Sequence, residues 1–355
     1  MLALKAHEMG VPVAIYSEKR EDPAAQVTSL WHQGSAKDEK ALKEFIASCS
    51  VVTFESEFMD AALLEKIAAA TKVEIYPRPR EMALIQDRLT QKELLKKFRL
   101  PTAPFIAVST EYEARRAWHA LGKKVVFKKR RFGYDGYGTF VVKNEKDLEA
   151  FLPQVEKDAH GFIAEAFVPF KREVAVMVAR GRDGSTLHLP FVETYQENSR
   201  CLWVKGPLRA TPTFKRLGRA LEKLLEKADY VGIMGVELFD TGRELVINEL
   251  APRVHNSGHY SLDALSMDQF TLHIRAVLGL ELRQPIVLRP GFAMMNLLGT
   301  TDEAPKWQLS GDVKLHWYGK NENRPGRKMG HINALATSPE KALSLVKKRR
   351  ADFRV

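Results

Sequence analysis

The chain has 355 residues, a net charge of +11, 45% hydrophobic and 28% charged residues, and two cysteines, Cys49 and Cys201. That length implies two or three domains with a core that needs no staples, and the cysteine count excludes a disulfide scaffold or a cysteine-based metal cluster. No apolar run approaches the ~20 residues of a membrane span, residues 1–9 lack the zones of a secretory signal, and a reducing cytoplasm is the expected compartment. The excess positive charge suits either nucleic acid or phosphorylated small molecules. Only Phe132 and Tyr134 interleave aromatic rings with the basic runs, so no nucleic-acid partner is expected.

In chain order, the first ~90 residues alternate strand and helix: strands at 11–16, 51–54 and 73–76, helices at 38–47 and 59–70. This alternation predicts a parallel sheet with helical crossovers. Pro77 and Pro79 punctuate the chain, and a helix follows over 87–98. Thr110 and Glu113 form a capping box for a helix that Gly122 stops. Strands at 125–128 and 140–142 flank a glycine-rich loop. Hairpins are expected for 173–180 with 186–192, and for 232–239 with 244–248. An amphipathic helix covers 214–227, and one long helix runs over 262–278 to Gly279. From about residue 284, short strands at 292–298 and 313–317 alternate with proline-rich turns, and Pro339 opens a last helix. The expected domains are 1–88, 89–283 and 284–355.

Four segments carry chemistry. In the first, Gly133, Gly136 and Gly138 follow Lys128, Lys129, Arg130 and Arg131, so a tight backbone can aim N–H groups at an anion beside neutralising charge. It is not a Walker A loop, because no lysine and hydroxyl residue follow the last glycine. In the second, Glu237 and Glu249 sit on two apolar strands, where a lone charge is expensive unless paired or on a metal. An odd, three-residue turn containing Gly242 would put both carboxylates on one face, offset by about 7–13 Å, and an even turn would put them on opposite faces. A shared face suits Mg2+ bound with ATP phosphates. The third packs Arg253, His255, Asn256, Ser257 and His259 into a loop bounded by Pro252 and Gly258. The two histidines have the spacing of a zinc pair, but that reading needs a helix, so an anion site is the better use. In the fourth, Lys320, Arg324, Arg327 and Lys328 converge on a turn, as a solvated face or a clamp for a phosphate monoester.

Taken together and in this order, the segments resemble the ATP-grasp superfamily and, within it, the 5-(carboxyamino)imidazole ribonucleotide synthase family. The resemblance rests on 51–57, 87–92, 100–104, 131–136, the asparagine-to-histidine stretch from Asn248 to His259, and the basic turn from Arg324 to His331. It implies an α/β protein: an ATP-grasp fold preceded by a truncated Rossmann-like domain and followed by a small β-rich domain. It implies an ATP-dependent carbon–nitrogen ligase that phosphorylates bicarbonate and transfers the carboxyl group to 5-aminoimidazole ribonucleotide, in a homodimer.

By position, the resemblance assigns ATP to Arg88, Lys128, Gly133, Tyr134, Asp135, Gly136, Tyr137, Gly138, Thr139, Glu165, Ala166, Phe167, Val168, Glu173, Gln196, Asn248 and Glu249. It assigns Mg2+ to Glu237 and Glu249, and bicarbonate with carboxyphosphate to Arg253, His255 and Asn256. The ribonucleotide falls to Tyr134 and Asp135, with its phosphate on Lys320 and Arg327.

The chain departs from the family pattern in four places. Met1-Leu2-Ala3-Leu4 stands where the family already has a strand and a glycine-rich turn behind it, so the first sheet is expected to lack a central strand. Tyr137 replaces a lysine or arginine, Thr139 a glutamine and Gln196 a histidine. A formate-using transformylase, a biotin carboxylase and a catalytically silent nucleotide-binding paralogue are the alternative readings.

Overall fold

The structure is a computed structural model that describes residues 1–133, 136–197, 199–301, 303–308 and 311–355. The N-terminal alternation of strand and helix is present, but its strands are three residues long. Ile15–Ser17 pairs in parallel with Trp31–Gln33, and Val51–Thr53 with Glu74–Tyr76. The single parallel sheet expected here is two separate pairs, with no ladder between them among the described residues. Helices Glu39–Ala47 and Ala61–Thr71, capped by the carboxylates of Asp38 and Asp60, hold this unit together. They bury Leu42, Ile46, Leu64 and Ile67 against Ile75 and Met82. Helix Leu2–Glu8 turns away instead and packs Leu2 and Ala6 into the core beneath the central sheet.

A four-stranded antiparallel sheet follows, in the order Phe105–Val108, Phe162–Ala166, Val125–Lys129, Thr139–Val142. Helices Glu111–Ala120 and Glu145–Phe151 cover one face of it over Trp118, Phe127, Phe151 and Phe162. The capping box at Thr110 and Glu113 forms as expected.

The largest element is a nine-stranded sheet. Its order is Leu245–Ala251, Gly232–Asp240, Arg172–Arg180, Val192–Glu197, Arg200–Gly206, Gly291–Leu298, Lys328–Ala336, Lys314–Trp317, with Thr186–His188 also pairing Arg172–Arg180. Pro212–Lys227 packs Phe214, Leu217, Leu221 and Leu224 on one face. The last three strands of this order belong to the C-terminal segment, so that segment extends the central sheet. Pro339–Arg349 buries Ala342 and Val346 against it.

The long helix expected over 262–278 is two. Ser261–Ala264 stops, and Gln269–Leu278 restarts after Asp268, whose carboxylate accepts from the N–H groups of Phe270 and Thr271. An aspartate that captures backbone donors in this way favours a helix start over a helix interior. Gly279, at φ +71°, ends the second helix as expected.

Candidate active site

A cleft of about 730 Å³ opens between the four-stranded sheet and the nine-stranded sheet. Its acidic wall is the hairpin Gly232–Asp240 with Leu245–Ala251. The turn spans Thr241 to Glu244 with Asp240 opposite Leu245, an even connection. Uninterrupted pairing would set Glu237 opposite Asn248 and send Glu249 to the far face. A β-bulge removes that outcome: Leu238 pairs with Ile247, but Glu237 pairs with Glu249, and Asn248 is the extra residue. The two carboxylates therefore face the cleft directly opposite each other, without the offset of 7–13 Å expected from an odd turn.

Burial, and then the facing Glu249, push the Glu237 carboxyl above its usual range against the pull of Lys128 and Lys328. Two carboxylates held this close, one of them reluctant to ionise, form a donor set that a hard cation with oxygen ligands would relieve, and Mg2+ fits it. Asn248 turns the bulge to use: its Oδ1 accepts from Lys128 Nζ at 2.8 Å, and its Nδ2 lies 3.4 Å from Glu237 Oε2.

Opposite stands a cationic wall. Lys128 and Lys92 both meet Glu165, at 3.1 and 3.0 Å, and all three are buried. Burial opposes charge on Glu165, but the two ammonium groups outweigh it and hold the carboxyl below its usual range. For Lys92 burial is the larger influence, and its pKa falls. Arg88 donates to Glu249 Oε1 at 2.9 Å and to the carbonyl of Lys129 at 3.1 Å.

The loop at the cleft floor carries Arg253 and His255. Both Arg253 Nε and Nη2 bond the Glu57 carboxylate, the latter at 2.8 Å. His255 Nδ1 accepts from the Ser257 N–H at 3.4 Å and lies 2.8 Å from Ser257 Oγ. That places the ring proton on Nε2, which points toward Glu237 Oε1 at 3.7 Å. Burial, and then Arg253 and Lys328, depress His255 to about 3, so the ring is neutral at physiological pH.

The cleft also gathers Gly133, Gly136, Thr139, Ala166, Phe167, Val168, Glu173, Gln196 and Asn256. Gly136 and Gly138 sit at φ +83° and +80°, conformations that favour glycine. Glu173, half-buried beside Glu237, is pushed up to about 7 by desolvation and then by the Glu237 charge. Tyr134 and Asp135 lie outside the described residues. Four expected site residues do not line the cleft. Tyr137 instead sets its ring under Lys129 Nζ at 5.1 Å, and Gly138 packs on the Lys129 side chain. Lys320 donates to the carbonyl of Lys328 at 2.7 Å, and Arg327 to that of Glu322 at 2.8 Å. Lys328 takes their place: strand alternation sends it into the cleft while Met329 enters the core.

Residues 1–86 match the ribonucleotide synthetase preATP-grasp domain, 93–270 the ATP-grasp domain, and 293–344 the phosphoribosylaminoimidazole carboxylase C-terminal domain. The N5-carboxyaminoimidazole ribonucleotide synthase of Synechococcus elongatus is 38% identical over 353 residues, 96% of this chain and 89% of the relative. The chain belongs to the N5-carboxyaminoimidazole ribonucleotide synthase family. The family's solved structures superpose closely. The Staphylococcus aureus synthetase complexed with ADP gives a TM-score of 0.89 at 31% identity, covering 99% of this chain and 93% of that one. The Aspergillus clavatus synthase with ADP and 5-aminoimidazole ribonucleotide gives 0.82 at 28% identity, covering 98% and 93%.

Within this family frame, the sequence reading gave Lys92 and Glu57 no role of their own, although both lie in segments that carry the resemblance, and it offered Lys328 only as one of four basic residues on a turn. A signal existed for Lys92, which stands one turn after Arg88 on the same helix face as Leu95. For Glu57 nothing local signalled the partner, because Arg253 lies 196 positions away.

Proposed function

We propose that the chain carboxylates 5-aminoimidazole ribonucleotide with bicarbonate, coupled to ATP cleavage to ADP and phosphate. The observation that carries this is the Glu237–Glu249 pair facing Lys128 and Arg88 across one cleft, with Arg253 and His255 at its floor.

In this reading Arg88 and Lys128 hold the ATP phosphates, and the glycine loop covers them. The apolar end formed by Val126, Phe167, Phe170 and Phe239 takes the base, and Glu173 grips the ribose. Glu237 and Glu249 would hold Mg2+, which would supply charge neutralisation for the phosphates. A bicarbonate oxygen attacks the γ-phosphorus, giving carboxyphosphate and ADP. The exocyclic amine of the ribonucleotide then attacks the carboxyl carbon, phosphate leaves, and the amine loses a proton. Arg253 and the Nε2–H of His255 orient the bicarbonate and stabilise the anionic intermediate, supported by Asn256. Asn256 is itself held by reciprocal hydrogen bonds with buried Asn296, at 3.0 and 2.7 Å. Lys328 suits the ribonucleotide phosphate better than Lys320 or Arg327, because it faces the cleft. The same reading includes a cytoplasmic homodimer, which light scattering of the purified protein checks.

The test is ADP formation by purified protein. It should require both bicarbonate and 5-aminoimidazole ribonucleotide, and Glu249→Gln should abolish it while the circular dichroism spectrum stays unchanged. ADP formation driven by formate and glycinamide ribonucleotide would point to another ligase of the superfamily. Undiminished turnover in Glu249→Gln would remove the proposed metal site.

A further inference from the structure

Gln269 opens the helix Gln269–Leu278 and is fully buried, yet it does not line the cleft. Its side-chain amide holds His255 by both backbone groups. Oε1 accepts from the His255 N–H at 2.9 Å, and Nε2 donates to the His255 carbonyl at 2.9 Å. The second Nε2 hydrogen meets His259 Nδ1 at 2.7 Å. These contacts allow one amide orientation only, since the reverse would set donor against donor and acceptor against acceptor. The loop is closed around this clamp. The Gln269 N–H donates to Ser261 Oγ at 3.0 Å, and that hydroxyl donates to the Gly258 carbonyl at 2.5 Å. A Cβ on Gly258 would meet Gln269 Oε1 at 2.6 Å, so the loop lies directly against the amide.

A buried side chain that satisfies both the N–H and the C=O of one residue fixes that residue's peptide planes. The His255 ring is then aimed by its own Cα, and its Nε2 remains available to the cleft. We propose that Gln269 is a positioning residue: without touching substrate, it holds the 255–259 loop so that the His255 Nε2–H faces the Glu237–Glu249 pair. This rests on the reading of His255 as a residue that orients bicarbonate and carboxyphosphate.

Three full-length variants test it: Gln269→Leu, Gln269→Glu and His255→Ala, with rates expressed per ADP-binding site. Gln269→Leu should lower kcat by about tenfold or more while KM for ATP and ADP affinity stay within about twofold. Gln269→Glu has a specific signature. Ionised, it accepts from the His255 N–H but repels the carbonyl; protonated, it restores both bonds, and burial favours the protonated form. The titratable groups facing it are His255 and His259, with Asp268 beside it and His273 one turn on; burial holds all three histidines below their usual range. The ratio of variant to wild-type kcat should therefore climb as pH falls from about 8 to about 6.

Wild-type kcat in Gln269→Leu, a loss falling equally on KM for ATP, or a flat ratio for Gln269→Glu would overturn the proposal. If Gln269→Leu does not fold, the pH ratio of Gln269→Glu decides alone. Loss of activity in His255→Ala beside an unaffected Gln269→Leu sinks only this inference. Wild-type turnover in His255→Ala sinks the underlying reading of the loop.

Discussion

Val51–Thr53 is paired along one edge, over three residues, whereas Gly232–Asp240 is paired along both edges, over its whole length against Arg172–Arg180. A strand locked between two ladders has the direction of every side chain dictated by register, and a shift of one residue would reverse all of them. Glu237 is therefore placed by ladders on both edges of its strand. The N-terminal pairs offer no such lock. They contribute to the cleft through a loop residue, Glu57, and are tied to the rest by side-chain contacts. Thr53 Oγ1 meets His273 Nε2 at 2.6 Å, and Arg78 pairs with Asp229. Glu237 sits on the doubly paired strand, and the singly paired N-terminal region acts through tethers.

Three changes would break or sharpen that contrast. The largest effect is expected at the buried charge cluster. Lys92→Met removes one of the two ammonium groups paired with Glu165 in a dry site, and should destabilise the protein by about 3–5 kcal/mol, read from urea unfolding. A change under about 1 kcal/mol would mean that the cluster is not desolvated in solution.

Next in size, Glu57→Gln removes the charge that clamps Arg253 from the N-terminal side. Carboxylation should slow by up to about a hundredfold while ADP binding is retained. Equal loss of both would show that the N-terminal region does more than tether.

The smallest effect concerns Glu81 at the seam between the regions. Its carboxyl is 3% exposed; burial pushes it up to about 7, against the hydrogen bond from the Arg78 N–H. The folded protein holds this proton more tightly than the unfolded chain. The resulting stabilisation is complete below about pH 4.5 and is lost as pH rises through about 7. Glu81→Gln removes that loss, so the stability of wild type relative to the variant should fall between about pH 5 and about pH 8. A difference that is flat with pH would place the Glu81 carboxyl in water.

Local signals accounted for much of this molecule. The capping box at Thr110, the Gly279 helix stop and the amphipathic face of 214–227 are each written within one or two turns of chain, because they depend on local hydrogen bonds or on helical periodicity. The glycine loop and the cluster of Arg253, His255 and Asn256 were legible for the same reason: few structural roles call for those residues so close together. Lys320 and Arg327 show where that logic stops. A run of basic residues announces a cationic surface, but strand alternation beginning at Lys328 chooses which of them reaches the cleft.

The sequence by itself determined the classes of chemistry present: an anion-binding glycine loop, two acidic side chains on apolar strands, and a loop of arginine, histidine and asparagine. Only the tertiary structure decided that the acidic pair shares a face. The turn between its strands is even, and counting along the chain would separate them. The bulge at Asn248 reverses that result, and the bulge is a property of the ladder between two strands, not of either strand alone. Likewise Glu57 and Gln269 take their roles from partners brought near by folding, since the chain between them carries no periodicity that links them.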